Sequence, residues 1–229
     1  MKKIISFIAS LAALLLVLTA CSSKTEAPKK EEKKEPVTVK VASHTSPMTD
    51  MLEMIKDDLK KEGYNLEIVK VSDNVQANVA LNNKEVDANF FQHRPFMEQF
   101  NKKNNAHLVA IQPIYNATVS FYSKTLKDIK DNPKHLKFTE VSLLNLSDAY
   151  AEKDLVFNYP TYIAKLNLTP MKDGLLMEDK ADFTYAGVLA AREDNKDDAK
   201  IQAVKKALTS QKVKDFLQKN FEGKATAAF

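Results

Sequence analysis

Glycine is scarce in this chain: Gly63, Gly174, Gly187 and Gly223 are the only four in 229 residues, and no two lie close together. A loop that cradles phosphates through backbone N–H groups needs clustered glycines, so P-loop and dinucleotide chemistry is excluded. Cysteine is scarcer still. The single Cys21 permits no internal disulfide and no cysteine-based zinc site. Arginine occurs twice, at Arg94 and Arg192, so the formal charge of +4 rests on lysines set against 30 acids. That describes a solvated mixed surface, not a nucleic-acid footprint, and no nucleic-acid partner is expected. No glycine-flanked nucleophile elbow is present, and no serine comes with an identifiable base. The histidines His44, His93, His107 and His135 do not pair at metal-ligand spacing. The chain therefore reads as no enzyme, with no cofactor and no metal.

What is present begins with an address. Lys2 and Lys3 precede an uncharged run from Ile4 to Ala20, which ends Leu18-Thr19-Ala20-Cys21. A positive start, a short apolar stretch and small residues at the cut form a secretory signal, residues 1–20. The run sits at the lower edge of a spanning length, so a permanent membrane helix is the duller alternative. Leu-Thr-Ala-Cys resembles the lipobox of bacterial lipoproteins, which makes Cys21 the expected lipid anchor; two acyl chains suffice for stable attachment. The protein is then expected on the cell membrane, facing outside the cytoplasm. From Ser22 to Pro36 there are five lysines, four glutamates and two prolines with no large apolar side chain. Such a segment cannot bury enough surface to offset its ordering entropy, so residues 21–36 read as a flexible tether.

The folded part starts near Val37. Val37–Ala42 alternates as a strand, and Ser46-Pro47 suggests an N-cap with proline at the first helical position. Leu52, Ile55 and Leu59 follow at helical spacing, with Gly63 as the C′ residue. Further strands are expected at 66–71, 86–91, 107–114, 117–122, 153–157 and 184–191. Helices are expected over 74–81, with Val75, Val79, Ala80 and Leu81 inward, then from Pro95 to about Asn104, and over 198–208 and 210–221. Strand–helix alternation across the first eighty residues implies βαβ units and a mainly parallel sheet in an α/β protein.

The densest aromatic cluster is Phe90-Phe91-Gln92-His93-Arg94-Pro95-Phe96, at the carboxyl end of one strand and the start of a helix. Ligands bind there in open α/β sheets, and aromatic walls with a few polar groups suit a small molecule. Strand alternation sends Phe90 and Phe91 to opposite faces, so at most one belongs to the core. The segment His44-Thr45-Ser46-Pro47 offers N–H groups at a helix N-terminus, which suit a carboxylate but also describe many ordinary joints.

The lipobox, the tether, Val71–Leu81, the run Glu85–Phe96 with its Asp-Ala-Asn-Phe-Phe-Gln-His core, Phe121–Lys124, Asn132–Phe138 and the end Phe216–Phe229 together resemble the NlpA-type, MetQ-like lipoproteins. The resemblance implies a periplasmic-binding-protein-like architecture: a type II, two-lobed α/β fold with ligand in the cleft. It implies a substrate-binding protein of an ABC importer, partnered by a permease and an ATPase, monomeric, and mostly delivering methionine. Lobe 1 is expected over 37–114 with 184–229 returning to it, and lobe 2 over 115–183. Phe90, Phe91, His93, Phe96, Tyr115, Tyr162 and Ser46 are the expected ligand contacts.

Departures from the family pattern bear on mechanism. Nine residues, Ser123 to Asp131, separate Tyr122 from Asn132, whereas family members pass there through a strand and a helix carrying Gly-Arg-Ala-Leu. A βαβ unit alone takes roughly thirty residues, so the second lobe is expected to be incomplete and to lack the arginine that the family uses for the ligand carboxylate. The family's Asn-Gly-Asn-Tyr becomes Tyr159-Pro160-Thr161-Tyr162, with Asn158 one position away, and its Gly-Pro-His becomes Ser46-Pro47-Met48. Leaving a buried charge without its partner costs about 3–5 kcal/mol, or roughly two to four orders of magnitude in affinity. Arg94, the N–H groups of Ser46 to Thr49, and Arg192 are the conceivable substitutes, Arg192 being better suited to strand-end packing. The apolar stretch Val141–Leu146 is expected to cover part of the gap. Two functions stay open: an importer's binding protein with a compromised carboxylate clamp, or a truncated, non-transporting surface lipoprotein without a small ligand.

Overall fold

The computed structural model describes residues 35–122, 137, 139–142, 145–177 and 183–229. The signal segment, Cys21 and nearly all of the tether lie outside the described residues, as do Ser123–Asp131, Leu143 and Leu144. Val141 is exposed.

Strand β1 (Val37–Ser43) sinks as it advances, from exposed Val37 to fully buried Val41, Ala42 and Ser43. Helix α1 (Met48–Lys61) buries Met48, Met51, Leu52, Ile55 and Leu59, one stripe at the 3.6-residue period. Gly63 closes it at φ +86°, as its C′ position anticipates, and the Gly63 carbonyl accepts from Val37 N–H at 2.9 Å. Pro47 rather than Ser46 is the N-cap, and no side chain caps this end. The Ser46 hydroxyl instead donates to Asp50 at 2.7 Å.

After β2 (Tyr64–Lys70), helix α2 (Asn74–Asn82) starts at Asp73, whose carboxylate accepts from Gln76 N–H at 2.8 Å. The expected inward valines are misplaced: Val75 and Val79 are exposed, and Ala77, Asn78, Ala80 and Leu81 face in. The reason is a polar anchor. Asn78, Asn89 and Gln92 are buried and bond one another: Asn78 Nδ2 donates to Gln92 Oε1 at 2.7 Å, while Asn89 Nδ2 and Gln92 Nε2 donate to Asn78 Oδ1 at 2.8 and 2.7 Å. Paired in this way, an asparagine can occupy the inward stripe that an apolar residue would otherwise claim.

Strand β3 (Ala88–His93) leads straight into α3 (Arg94–Asn104), and β4 (Leu108–Ala117) follows. The chain then enters a second sheet through β5 (Ser120–Tyr122), α4 (Leu146–Glu152), β6 (Val156–Asn158), α5 (Pro160–Ile163), a 3₁₀ turn at Ala164–Leu166, α6 (Pro170–Asp173) and β7 (Leu176–Met177). It returns through β8 (Gly187–Arg192), α7 (Ala199–Leu208), α8 (Gln211–Asn220) and β9 (Ala225–Ala227).

The large sheet has the order β2-β1-β3-β8-β4-β9 and the small one β6-β5-β7. The expected mainly parallel sheet needs correction. β1 pairs parallel with β2 and β3, but β3–β8, β8–β4 and β4–β9 are antiparallel, as are both pairings of the small sheet. Alternation with helices reports crossovers between successive parallel strands; it carries no information about β8, which inserts from far along the chain between β3 and β4.

The main core packs α1, α2, α7 and α8 against the large sheet through Leu52, Ile55, Phe90, Leu189, Ile201, Val204 and Leu217. The small sheet has a minor cluster of Tyr122, Ala149, Val156 and Ile163. Among the described residues no helix is long and apolar enough to cross a membrane.

Candidate ligand-binding site

The carboxyl ends of β1, β3 and β4 open on a cavity of about 320 Å³ that the start of α5 closes from the small-sheet side. That is the place where open α/β sheets hold ligands, and a size at the lower end for small-molecule pockets. Phe91 stands edge-on to Phe96, with centroids 6.1 Å apart, and tilted against His44 at 5.9 Å. His93 meets Tyr185 edge-on at 5.2 Å. Tyr115 is edge-on to Phe90 at 6.0 Å and packs close against Gly187, whose missing Cβ makes that approach possible. Tyr159, Pro160, Thr161 and Tyr162 form the opposite wall.

His93 has two duties. Its Nδ1 accepts from Phe96 N–H at 3.2 Å, capping α3, so in the neutral ring the proton sits on Nε2. Burial lowers its pKa below the ordinary imidazole value. Burial lowers that of His44 as well, against the opposing effects of the Asn74 side chain and the Asp73 charge. Both rings are therefore neutral at pH 7. The His44 Nε2 is buried and has no hydrogen-bond partner among the described residues. Burial pushes the phenols of Tyr115 and Tyr162 up, so both remain O–H groups.

Of the expected contacts, Phe91, His93, Phe96, Tyr115, Tyr162 and Ser46 line this cavity. Phe90 does not. It is fully buried in the main core, and Phe91, 7% exposed, is buried too. The inference that one of the pair stays out of the core was wrong: both faces of β3 are covered, and a bulge between Phe90 and Gln92 shifts the register there. Arg94 is also corrected. It is exposed on the first turn of α3 and lines no part of the cavity. Arg192, at the end of β8, instead braces the passage from α2 to β3, donating from Nη1 to the carbonyls of Leu81 (3.1 Å) and Val86 (2.9 Å). The N-terminus of α1 borders the cavity, but Asp50 in its first turn already supplies the negative charge that such a terminus favours.

Sequence reasoning missed the His44 imidazole, Asn74, Tyr185 and Lys224, all of which line the cavity. Lys224 arrives because β9 pairs with β4 beside Tyr115. No local pattern announces such convergence.

Comparison with known proteins places this architecture. The model of the NlpA lipoprotein family matches residues 39–127 and 124–229. The chain belongs to the NlpA lipoprotein family. The two matched stretches meet at Lys124–Lys127, where the passage between Tyr122 and Asn132 is short. The methionine-binding lipoprotein MetQ of Bacillus subtilis is 34% identical over 267 aligned residues, covering 93% of this chain and 96% of the relative. That alignment is longer than this chain, so the relative carries residues without a counterpart here. Among solved structures, a nutrient-binding protein from Burkholderia cenocepacia bound to methionine superposes with TM-score 0.74 at 25% identity, covering 84% of this chain and all of that one. An ABC transporter periplasmic substrate-binding protein from Coxiella burnetii gives 0.76 at 26%, covering 83% of this chain and all of that one. The type II, two-lobed α/β fold expected of the family is the fold of this chain.

A second cavity, of about 410 Å³, lies against the small sheet. It shares Ala117, Tyr159 and Tyr185 with the first and is otherwise lined by residues such as Phe121, Phe157, Leu176 and Met177.

Proposed function

We propose that this chain is the substrate-binding lipoprotein of an ABC importer, anchored through Cys21 outside the cytoplasm, and that it carries methionine or a related amino acid. The observation that carries this reading is the aromatic cavity at the strand ends, set in a family whose relatives bear methionine-binding and transport names. A thioether gains about 0.3–1.5 kcal/mol at an aromatic contact, and Phe91, Phe96 and Tyr115 offer several such edges. The neutral His93 and His44 serve as hydrogen-bonding groups without adding charge. No step of bond making is assigned to any residue; the protein binds, closes and hands over to a permease and its ATPase as a monomer. Residues 37–114 and 184–229 act as one lobe and 115–183 as the other. Neither arginine reaches the wall, so the carboxylate is held without a bidentate guanidinium, and the affinity is correspondingly moderate.

The test is a thermal-shift titration of the full chain in detergent against L-methionine, D-methionine and the other amino acids. Ligand at a thousand times its dissociation constant stabilises by about 4 kcal/mol, and each kcal/mol raises Tm by roughly 2–4 °C. A selective shift for methionine supports the reading, and a cooperative melt that no amino acid moves contradicts it.

A second reading, a lipoprotein without a small ligand, is favoured by one observation. Phe157, Leu176, Met177 and Tyr185 are 39, 58, 38 and 53% exposed beside the small sheet. An exposed apolar face of that kind suits contact with another macromolecule. The same titration separates the two.

A further inference from the structure

The cavity needs a positive group if it is to hold a carboxylate, and the chain offers few. Its two arginines are accounted for: Arg94 is exposed outside the cavity, and Arg192 is committed to the carbonyls of Leu81 and Val86. Among the described residues that line the cavity there is no Asp, Glu or Arg; Lys224 carries the fixed charge there, since His44 and His93 are neutral. No acid among the described residues forms a salt bridge with Lys224. Its backbone, by contrast, is tied at both ends. Lys224 N–H donates to the Phe221 carbonyl at 2.8 Å, and its carbonyl accepts from Thr118 N–H at 2.9 Å. Gly223, at φ +69°, makes the turn that delivers it. A half-buried lysine on a pinned backbone, with no salt-bridged acid among the described residues, is poised for an anion brought from outside.

An independent observation points to a polar ligand in the same cavity. His44 Nε2 is buried with no hydrogen-bond partner among the described residues, and leaving such a nitrogen unsatisfied is costly. Asn74, beside it, also lines the cavity. A purely apolar occupant would leave Nε2 unpaired, whereas a ligand with a second hydrogen-bonding group would not.

We infer that Lys224 is the partner of the ligand's carboxylate and that His44 Nε2 takes a second polar group of the same ligand. The site thus accepts a small molecule with one anionic group, one further hydrogen-bonding group and an apolar body for Phe91 and Phe96. The inference rests on the ligand-binding reading above. A lysine holds the anion as a point charge, without the geometric selectivity of a guanidinium fork.

The test compares L-methionine with L-methioninamide, which keeps the ammonium and thioether but loses the carboxylate charge, by calorimetric titration of the full chain. Wild-type protein is expected to prefer methionine roughly tenfold or more, the scale of a hydrogen bond to a charged group. Lys224→Gln is expected to lose that preference by weakening methionine alone, and Lys224→Arg to keep much of it. Melting curves of each variant verify folding. Full discrimination in Lys224→Gln would overturn the assignment while the binding reading stands; no methionine binding by the wild type would overturn both. For the histidine, His44→Leu is expected to weaken methionine severalfold, and unchanged affinity would remove His44 from the site.

Discussion

Replacing Gly187 by alanine tests whether the Tyr115 wall is set by backbone contact. A Cβ built on Gly187 stands 2.9 Å from Tyr115 Cδ1 and 3.1 Å from Cζ, with Cε1 closer still. Ordinary contact requires the ring to retreat by about 1 Å. It cannot retreat into the core, because Phe90, fully buried, meets it edge-on at 6.0 Å. The open direction is the cavity, which Tyr115 and Gly187 both line. Overpacking of this kind costs about 1–3 kcal/mol, which lowers Tm by roughly 2–12 °C at about 2–4 °C per kcal/mol. Because the displaced ring enters a cavity of about 320 Å³, methionine affinity should fall with stability. The assay is a melting curve and a calorimetric titration on Gly187→Ala, Tyr115→Ala and the double variant. Removing the ring should relieve the alanine's stability cost, giving strongly non-additive changes. If Gly187→Ala alters neither Tm nor affinity, or if the two substitutions add, the reasoning fails.

Arg192→Ala should destabilise by about 1–3 kcal/mol in denaturant unfolding, since it strips the donor from two carbonyls. It should leave methionine affinity of the folded protein unchanged; an unchanged midpoint would contradict the bracing role. Asn78→Ala should cost at least as much, because Asn89 and Gln92 then lose a shared acceptor inside the core, and a loss below about 0.5 kcal/mol would show that the network is dispensable. Burial depresses the imidazoles of His44 and His93, so on acidification the unfolded chain takes the protons first. The stability they contribute is complete above the ordinary histidine pKa of about 6.5 and declines as pH falls below it. Tm should drop between pH 7.5 and 5.5, and less steeply in His44→Gln; identical slopes would discount the histidine.

The local rules of the chain were readable where one element decides its own form. Gly63 at a helix end, Pro95 in the first turn of α3 and the alternation of β1 are of this kind. Misreadings arose where a distant partner decides. β8 enters antiparallel between β3 and β4, turning an apparent parallel sheet into a mixed one. Asn78 faces inward because Asn89 and Gln92 satisfy it, which sends Val75 and Val79 to solvent. The aromatic run around Phe91 announced the cavity, since its position at a strand end is a local property. Lys224 did not, because a lysine near the chain's end gains meaning only when β9 pairs with β4. The His44 imidazole was passed over for a similar reason: its neighbour Asn74 lies thirty residues on, at another helix.

The central claim is that the cavity holds a methionine-like amino acid. Its most direct test is calorimetric titration of L-methionine into the detergent-solubilised full chain, repeated with Phe91→Ala and His93→Ala. One saturable site, weakened in both folded variants, is the predicted result. Absence of saturable binding in the wild type at millimolar ligand, or unchanged affinity in both variants, would contradict it.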